Sequence, residues 1–245
     1  MLVTKSWADE AGITTMDQIN DDPALVAALD TDGNGKGEFF GCYQGWTCDD
    51  IMNSQIVFAG WDNLEQIDAE YDVMFGEFFE RVQAGEPAVI YTWAPTGYYA
   101  QSAPGELTMW LSVENDSVLD NSNPLGDPGG EDYCQRCDEN GEVSSAIGFT
   151  GVSEETCLIG PDGCQLGWLG SDIEITANAA WLDENPAAEA LFSAFNPSLL
   201  ELSIASEALN SSPGSQGDVE AIAAKWIEEN QELVDEWLAA ARAVA

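Results

Sequence analysis

The chain has 245 residues, 45% hydrophobic and 21% charged, which is enough apolar material for a sizeable core in one large domain or two small ones. Aspartate and glutamate number 45 against 6 lysines and arginines, histidine is absent, and the net charge is −39. That balance sets nucleic acid and anionic lipid aside as partners, because both must have their phosphates neutralised, and the lack of histidine removes the commonest general base and metal ligand.

The acids are spread along the chain and diluted among apolar segments, so the sequence reads as a folded protein with an acidic surface. Adaptation to high salt is the favoured reason, since screening relieves self-repulsion; plain solubility is the alternative. No run of about 18 apolar residues occurs, so no membrane span is expected. The first twelve residues, MLVTKSWADEAG, carry one basic residue, Lys5, and no apolar stretch of the secretion-signal kind.

In chain order, Thr14 or Thr15 caps a helix predicted over 16–28, and a Gly- and Asp-rich turn follows over 30–41. Residues 49–59 read as helical. A longer helix is predicted over 64–83, because Leu64, Ile67, Tyr71, Met74, Phe75, Phe78 and Val82 recur at three- and four-residue steps. Gly85-Glu86-Pro87 stops it. Residues 88–93 form a short apolar run between Pro87 and Pro95 and read as a buried strand; 107–113 is a second strand and 173–177 a third. The polar stretch 114–145 reads as a long loop. Residues 178–195 look helical with a restart at Asn185-Pro186, 210–217 is a loop, and a last helix is expected over 218–244. Strands alternating with helices indicate an α/β domain with a largely parallel sheet.

Six cysteines fall in three local clusters, Cys42/Cys48, Cys134/Cys137 and Cys157/Cys164. An even count at short spacing points to disulfides and an oxidising compartment. Cys42–Cys48 and Cys157–Cys164 are the expected local pairs, with Cys134–Cys137 the third. The rival is a zinc ribbon of Cys134, Cys137, Cys157 and Cys164, whose second half has the wrong spacing.

Three segments carry chemistry. Residues 41–48, GCYQGWTC, place Trp46 in a cysteine-bracketed loop that runs into a helix, where the backbone N–H groups of Thr47 and Cys48 make a seat for a carboxylate. The competing reading is a core Trp beside a structural disulfide, and Asp49 and Asp50 count against an anion there. Residues 90–99, IYTWAPTGYY, put Trp93 at the carboxyl end of a predicted strand, where open α/β sheets bind ligands and an indole face attracts a quaternary ammonium. Tyr98 and Tyr99 are read as core. Residues 30–38, DTDGNGKGE, match the front half of an EF-hand loop, with Asp30, Asp32, Asn34 and Glu38 as candidate calcium ligands, but Gly41 stands where the closing bidentate glutamate belongs. The competing reading is an Asx-turn loop, and bound calcium would be structural.

In this order, the two Trp motifs resemble those of the glycine betaine/proline betaine solute-binding proteins of ABC osmoprotectant importers. The resemblance also takes in ITTMDQI at 13–19, LDTDGNGK at 29–36, Gly167-Trp168, Asp172-Ile173, Ala177-Asn178, Asn185-Pro186-Ala187-Ala188, and the final helix with Trp226 and Trp237. It implies a type II periplasmic-binding-protein-like α/β fold in which two lobes close on the ligand. Residues 1–176 would be the second lobe and 177–245 the C-terminal helical return to a first lobe whose front part is missing. Trp46 and Trp93 would be walls of an aromatic box, and the Thr47 and Cys48 N–H groups would hold the carboxylate. Ala94 with Thr96-Gly97 departs from relatives that carry a bulkier aromatic after the proline.

The expected function is therefore non-enzymatic: capture of glycine betaine or a similar zwitterionic osmolyte for a membrane ABC permease, in the periplasm or outside the cell. The alternative is an extracellular calcium- and disulfide-stabilised structural or interaction module. No nucleophile–base pair of an enzyme is recognisable.

Overall fold

The computed structural model describes residues 1–118, 154–161, 163–167 and 173–244. The chain divides into two units, Met1–Trp93 with Ser102–Gly170, and Ala94–Gln101 with Ser171–Ala245. The short segment Ala94–Gln101 joins the second unit although it lies between the two parts of the first in sequence.

The first unit opens with β1 (Leu2–Thr4), α1 (Lys5–Ala11), α2 (Met16–Asp21) and α3 (Pro23–Leu29). It continues through β2 (Gly37–Phe40), α4 (Thr47–Ala59), β3 (Leu64–Ile67), α5 (Tyr71–Ala84) and β4 (Val89–Ile90). The chain then passes through α6 (Gly97–Gln101) of the second unit and returns as β5 (Thr108–Trp110). The five strands lie in the order β3-β2-β4-β1-β5. β2 is parallel to β3 and to β4, while β1 is antiparallel to both β4 and β5. Four strands thus point one way and β1 alone runs against them. The parallel trio β2, β3 and β4 is joined through α4 and α5, the crossover helices that parallel neighbours require. Val3, Ile13, Met16, Leu29, Phe39, Met52, Trp61, Leu64, Val89 and Leu111 pack as one core around the sheet.

Local chemistry sets several of these boundaries. Thr15 and Gln18 form a reciprocal capping box at the start of α2. The expected helix over 16–28 is two helices, because Pro23 cannot continue α2 and instead starts α3 behind the Asp22 cap. The expected helix over 64–83 is also corrected: Leu64–Ile67 is a strand paired along its whole length with β2, and the helix begins at Tyr71. Leu64 and Tyr71 are both buried, so the three- and four-residue spacing ran unbroken across a strand–helix junction. Asn20 fixes the entry to β3, accepting from the Asn63 backbone N–H at 3.0 Å and, through its own carbonyl, from the Asn63 side chain at 3.0 Å. Residues 88–93 and 107–113 are strands only over Val89–Ile90 and Thr108–Trp110.

The second unit is helical: α6, then α7 (Ala179–Glu184), α8 (Pro186–Ala194), α9 (Leu199–Asn210), α10 (Gln216–Glu229) and α11 (Gln231–Arg242). The restart at Asn185-Pro186 is where the sequence places it. The strand expected over 173–177 does not form; its described side chains are exposed and no described strand pairs with it. The single helix expected over 218–244 is interrupted at Asn230, which ends α10 and starts α11. α6 lies against α9: the Thr96 backbone N–H donates to Ser203 Oγ at 3.1 Å, and a Cβ on Gly97 would come within 2.9–3.1 Å of Asn210 and Glu207.

Candidate functional site

Three neighbouring strands, β3, β2 and β4, each deliver an aromatic ring just past their carboxyl ends. The chain leaving β2 reaches Trp46 immediately before α4, the chain leaving β3 reaches Tyr71 at the first position of α5, and the chain leaving β4 reaches Trp93. The rings meet. Trp46 and Trp93 lie 6.1 Å apart, centroid to centroid, at 73°; Trp46 and Tyr71 stack at 6.2 Å and 22°; Tyr71 and Trp93 are 5.1 Å apart. Tyr43 closes on Trp46 at 5.7 Å and Tyr91 on Trp93 at 6.2 Å. Trp46 remains 44% exposed and Trp93 36%, whereas Tyr71 is only 4% exposed. Two indoles therefore present an open corner, with a buried phenol ring behind them.

The loop carrying Trp46 is held from several sides. Cys42 and Cys48 are bonded to each other, with Cα atoms 5.8 Å apart. Gln66, on β3, accepts from the Cys42 N–H at 3.4 Å and donates to the Asp49 carboxylate at 2.7 Å. Glycine suits position 41 because a Cβ there would lie 2.8 Å from Gln66 Cβ, which cannot swing aside as the amide can. The second described disulfide, Cys157–Cys164, has Cα atoms 6.1 Å apart, and residue 157 forms a bridge with Trp110 of β5. Cys134 and Cys137 lie outside the described residues, as do Trp168 and Asp172.

Thr47 and Cys48 begin α4, whose N-cap, Trp46, offers no side-chain acceptor. Their N–H groups precede the first intrahelical bond and face the positive end of the helix dipole. Asp49, next in line, is buried, and its carboxylate is already engaged by Asn53 at 3.0 Å, Gln66 at 2.7 Å and the Gly45 N–H at 3.4 Å. Its charge is spread over three donors. Asp50 is exposed to water.

The acidic loop is closed by its own hydrogen bonds. Asp30 turns inward as a cap, accepting the backbone N–H groups of Gly33, Asn34 and Gly35 at 2.8–3.1 Å. Asp32 and Glu38 come together with Glu65 of β3, their carboxylate oxygens lying within 4.8 Å of one another. Asn34 donates to Glu65 at 2.5 Å. Glu65 enters because β3 pairs with β2, and Glu38 and Glu65 are direct partners in that ladder.

Tyr71 and Glu65 are the two residues sequence reasoning did not place at these sites. Both follow from one feature, the strand Leu64–Ile67. Had that segment been read as a strand, the rule that ligands gather at strand carboxyl ends would have pointed to Tyr71.

The family model for the substrate binding domain of the ABC-type glycine betaine transport system matches residues 1–229. The glycine betaine-binding periplasmic protein OusX of Dickeya dadantii is 29% identical over 245 residues, covering 100% of this chain and 64% of its own length. The glycine betaine/proline betaine-binding periplasmic protein of Escherichia coli is 27% identical over 238 residues, covering 97% of this chain and 62% of that protein. Among solved structures, an ABC-transporter choline binding protein in an unliganded semi-closed conformation aligns at 17% identity with a TM-score of 0.46, over 97% of this chain and 62% of that one. The chain spans less than two thirds of the length of these relatives.

Proposed function

Because the chain belongs to the substrate-binding domains of ABC-type glycine betaine transport systems, we propose that it captures glycine betaine, or a related quaternary ammonium osmolyte, for an ABC importer in the membrane. The observation that carries this reading is the meeting of Trp46 and Trp93 in an open aromatic corner. A trimethylammonium group is large, weakly hydrated and permanently charged. Seated in the corner within about 6 Å of both rings, it gains roughly 0.5–2 kcal/mol per indole by cation–π attraction. The rings are set by the strand ends and the disulfide, so little freedom is lost when the ligand arrives. The zwitterion's carboxylate goes to the Thr47 and Cys48 N–H groups, one residue from Trp46.

The role is binding and delivery without catalysis, since the family is one of substrate-binding transport proteins. Export to the periplasm or beyond agrees with the periplasmic relatives and with the two disulfides among the described residues, which need an oxidising compartment. No described helix is long and apolar enough to cross a membrane.

The test is titration calorimetry of the chain with glycine betaine, alongside Trp46→Ala and Trp93→Ala. Each substitution is expected to weaken binding roughly 3- to 30-fold, the loss of one indole face. Variants that bind as tightly as the unsubstituted chain would sink the reading.

A second, structural reading attaches to Asp32, Glu38 and Glu65, whose three carboxylates have the hard oxygen donors calcium takes. Asp30 and Asn34 support the loop and are not ligands in this reading. Calcium there would tie the 30–38 loop to β3 and leave the aromatic corner alone. Thermal melting in calcium against chelator, repeated on Glu65→Gln, checks it: a calcium-dependent rise in Tm that the variant lacks is expected, and identical melts remove the site.

A further inference from the structure

We infer that Tyr71 is the positioning residue of the quaternary-ammonium site, a buried ring that sets both indoles without itself meeting the ligand. The inference rests on the reading of the Trp46–Trp93 corner given above and adds to it the part of the fold that keeps the corner in shape.

Tyr71 touches both halves of the corner in different ways. Its ring stacks nearly parallel with Trp46, 22° between planes, and lies 5.1 Å from Trp93. Its hydroxyl donates to the main-chain carbonyl of Tyr91 at 2.8 Å, two residues before Trp93. The N–H of the same residue 91 donates to the Phe40 carbonyl of β2 at 2.7 Å. Residue 91 is thus pinned on both sides, by β2 through its N–H and by Tyr71 through its carbonyl. Beyond that point β4 has ended, and the Tyr71 hydroxyl extends control of the backbone toward Trp93 after the sheet ladder stops.

The arrangement divides labour by burial. Tyr71 is 4% exposed and starts α5, whose Met74, Phe75, Phe78 and Val82 are buried against the rest of the unit, so the ring moves only if the helix does. Trp46 and Trp93 sit on loops and are substantially exposed. The disulfide holds the backbone of the Trp46 loop, but an exposed side chain on a loop has more room to turn than a buried one. A rigid ring between two loop-borne indoles fixes their mutual angle, and that angle decides whether one cation can touch both faces at once.

The experiment uses the full chain with tetramethylammonium as probe and ammonium at equal ionic strength as control, which separates cation–π recognition from the attraction of any cation to a −39 surface. The indole N–H signals of Trp46 and Trp93 are followed by NMR in the unsubstituted chain, Tyr71→Phe, Tyr71→Leu, Trp46→Ala and Trp93→Ala. Trp61 and Trp110, buried in the same unit, are internal references. Tyr71→Leu is expected to shift the ligand-free Trp46 and Trp93 signals, leave Trp61 and Trp110 in place, and weaken tetramethylammonium binding about tenfold. Tyr71→Phe keeps the ring and is expected to recover most of that affinity, with a loss of about threefold from the missing hydrogen bond. If Tyr71→Leu fails to fold, the Phe variant decides: unchanged affinity overturns the inference. If both Tyr71 variants bind normally while the two Trp variants do not, Tyr71 only packs and the site reading stands. If neither Trp46 nor Trp93 responds to tetramethylammonium in the unsubstituted chain, the site reading falls and this inference falls with it.

Discussion

The two units of this chain bury their apolar residues to very different degrees. In the first, a five-stranded sheet and its helices enclose Leu2, Val3, Ile19, Phe39, Trp61, Leu64, Phe78 and Leu111, all at or near zero exposure. In the second, only Thr96, Gly97, Tyr99, Ser203 and Trp237 are buried among the described residues. Its apolar side chains are plentiful, but they line a cavity of about 570 Å³ bordered by Leu191, Phe195, Leu202, Trp226, Val234 and Trp237. A sheet offers a broad face on which helices close off water. Among the described residues, the short helices of the second unit leave most of their apolar side chains half-covered or exposed. The aromatic corner belongs wholly to the first unit, where packing holds a ring such as Tyr71 still.

The largest effect that would break or sharpen this contrast comes from deleting one indole in each unit. Trp61 is 1% exposed, and its N–H donates to Asp17 at 3.0 Å. Asp17 also accepts the Glu114 N–H at 2.7 Å and the Ser117 hydroxyl, so it ties α2 to the chain beyond β5. Trp61→Ala opens a cavity in a close-packed core and is expected to cost about 3–5 kcal/mol. Trp226, half-buried, stacks on Trp237 at 5.7 Å and 14°. Its removal forfeits that ring pair, about 0.5–1.5 kcal/mol beyond the area it half-buries, together with its contact to Glu201, but opens no closed core. Urea unfolding of both variants measures the difference. Equal losses would mean that the second unit carries a core as tight as the first.

Legibility in the sequence followed the same division. Trp46 announced itself through the cysteines on either side, and Trp93 through the prolines that bound its strand; both cues are local. The calcium-like loop was visible as a motif, but which carboxylates meet was not, because Glu65 reaches Glu38 only through the β2–β3 ladder. Tyr71 was hidden for a related reason. Leu64, Ile67 and Tyr71 keep helical spacing while sitting in a strand, at its end and in the next helix, since both elements turn apolar residues to one core. β1 is three residues long, and nothing local reveals that it runs against its neighbours between β4 and β5. In the second unit, 173–177 alternates like a strand, yet alternation makes a strand only where a partner supplies the ladder. α9 carries a local signal of its own, the Ser198–Glu201 capping box, which marks its start without any tertiary partner.

That capping box gives the smallest and most local expected effect. Ser198 Oγ accepts the Glu201 N–H at 3.2 Å, and the Glu201 carboxylate accepts the Ser198 N–H at 2.8 Å. The Ser198 side chain first, then its backbone N–H, hold the Glu201 carboxyl below its usual 4.5. A carboxyl whose folded value is depressed adds stability that is present above the unfolded value and is lost as the pH falls through the folded one. α9 is therefore expected to loosen as the pH drops below 4.5, before any effect of that group on the first unit's sheet. Ser198→Ala should cost about 1 kcal/mol near neutral pH and flatten the acid dependence. Amide hydrogen exchange along α9, compared with β1 and β4, reads both effects. A variant whose α9 amides lose no protection would show that the helix is held by its packing on α6 and not by its cap, which would draw the two units closer in kind than their burial suggests.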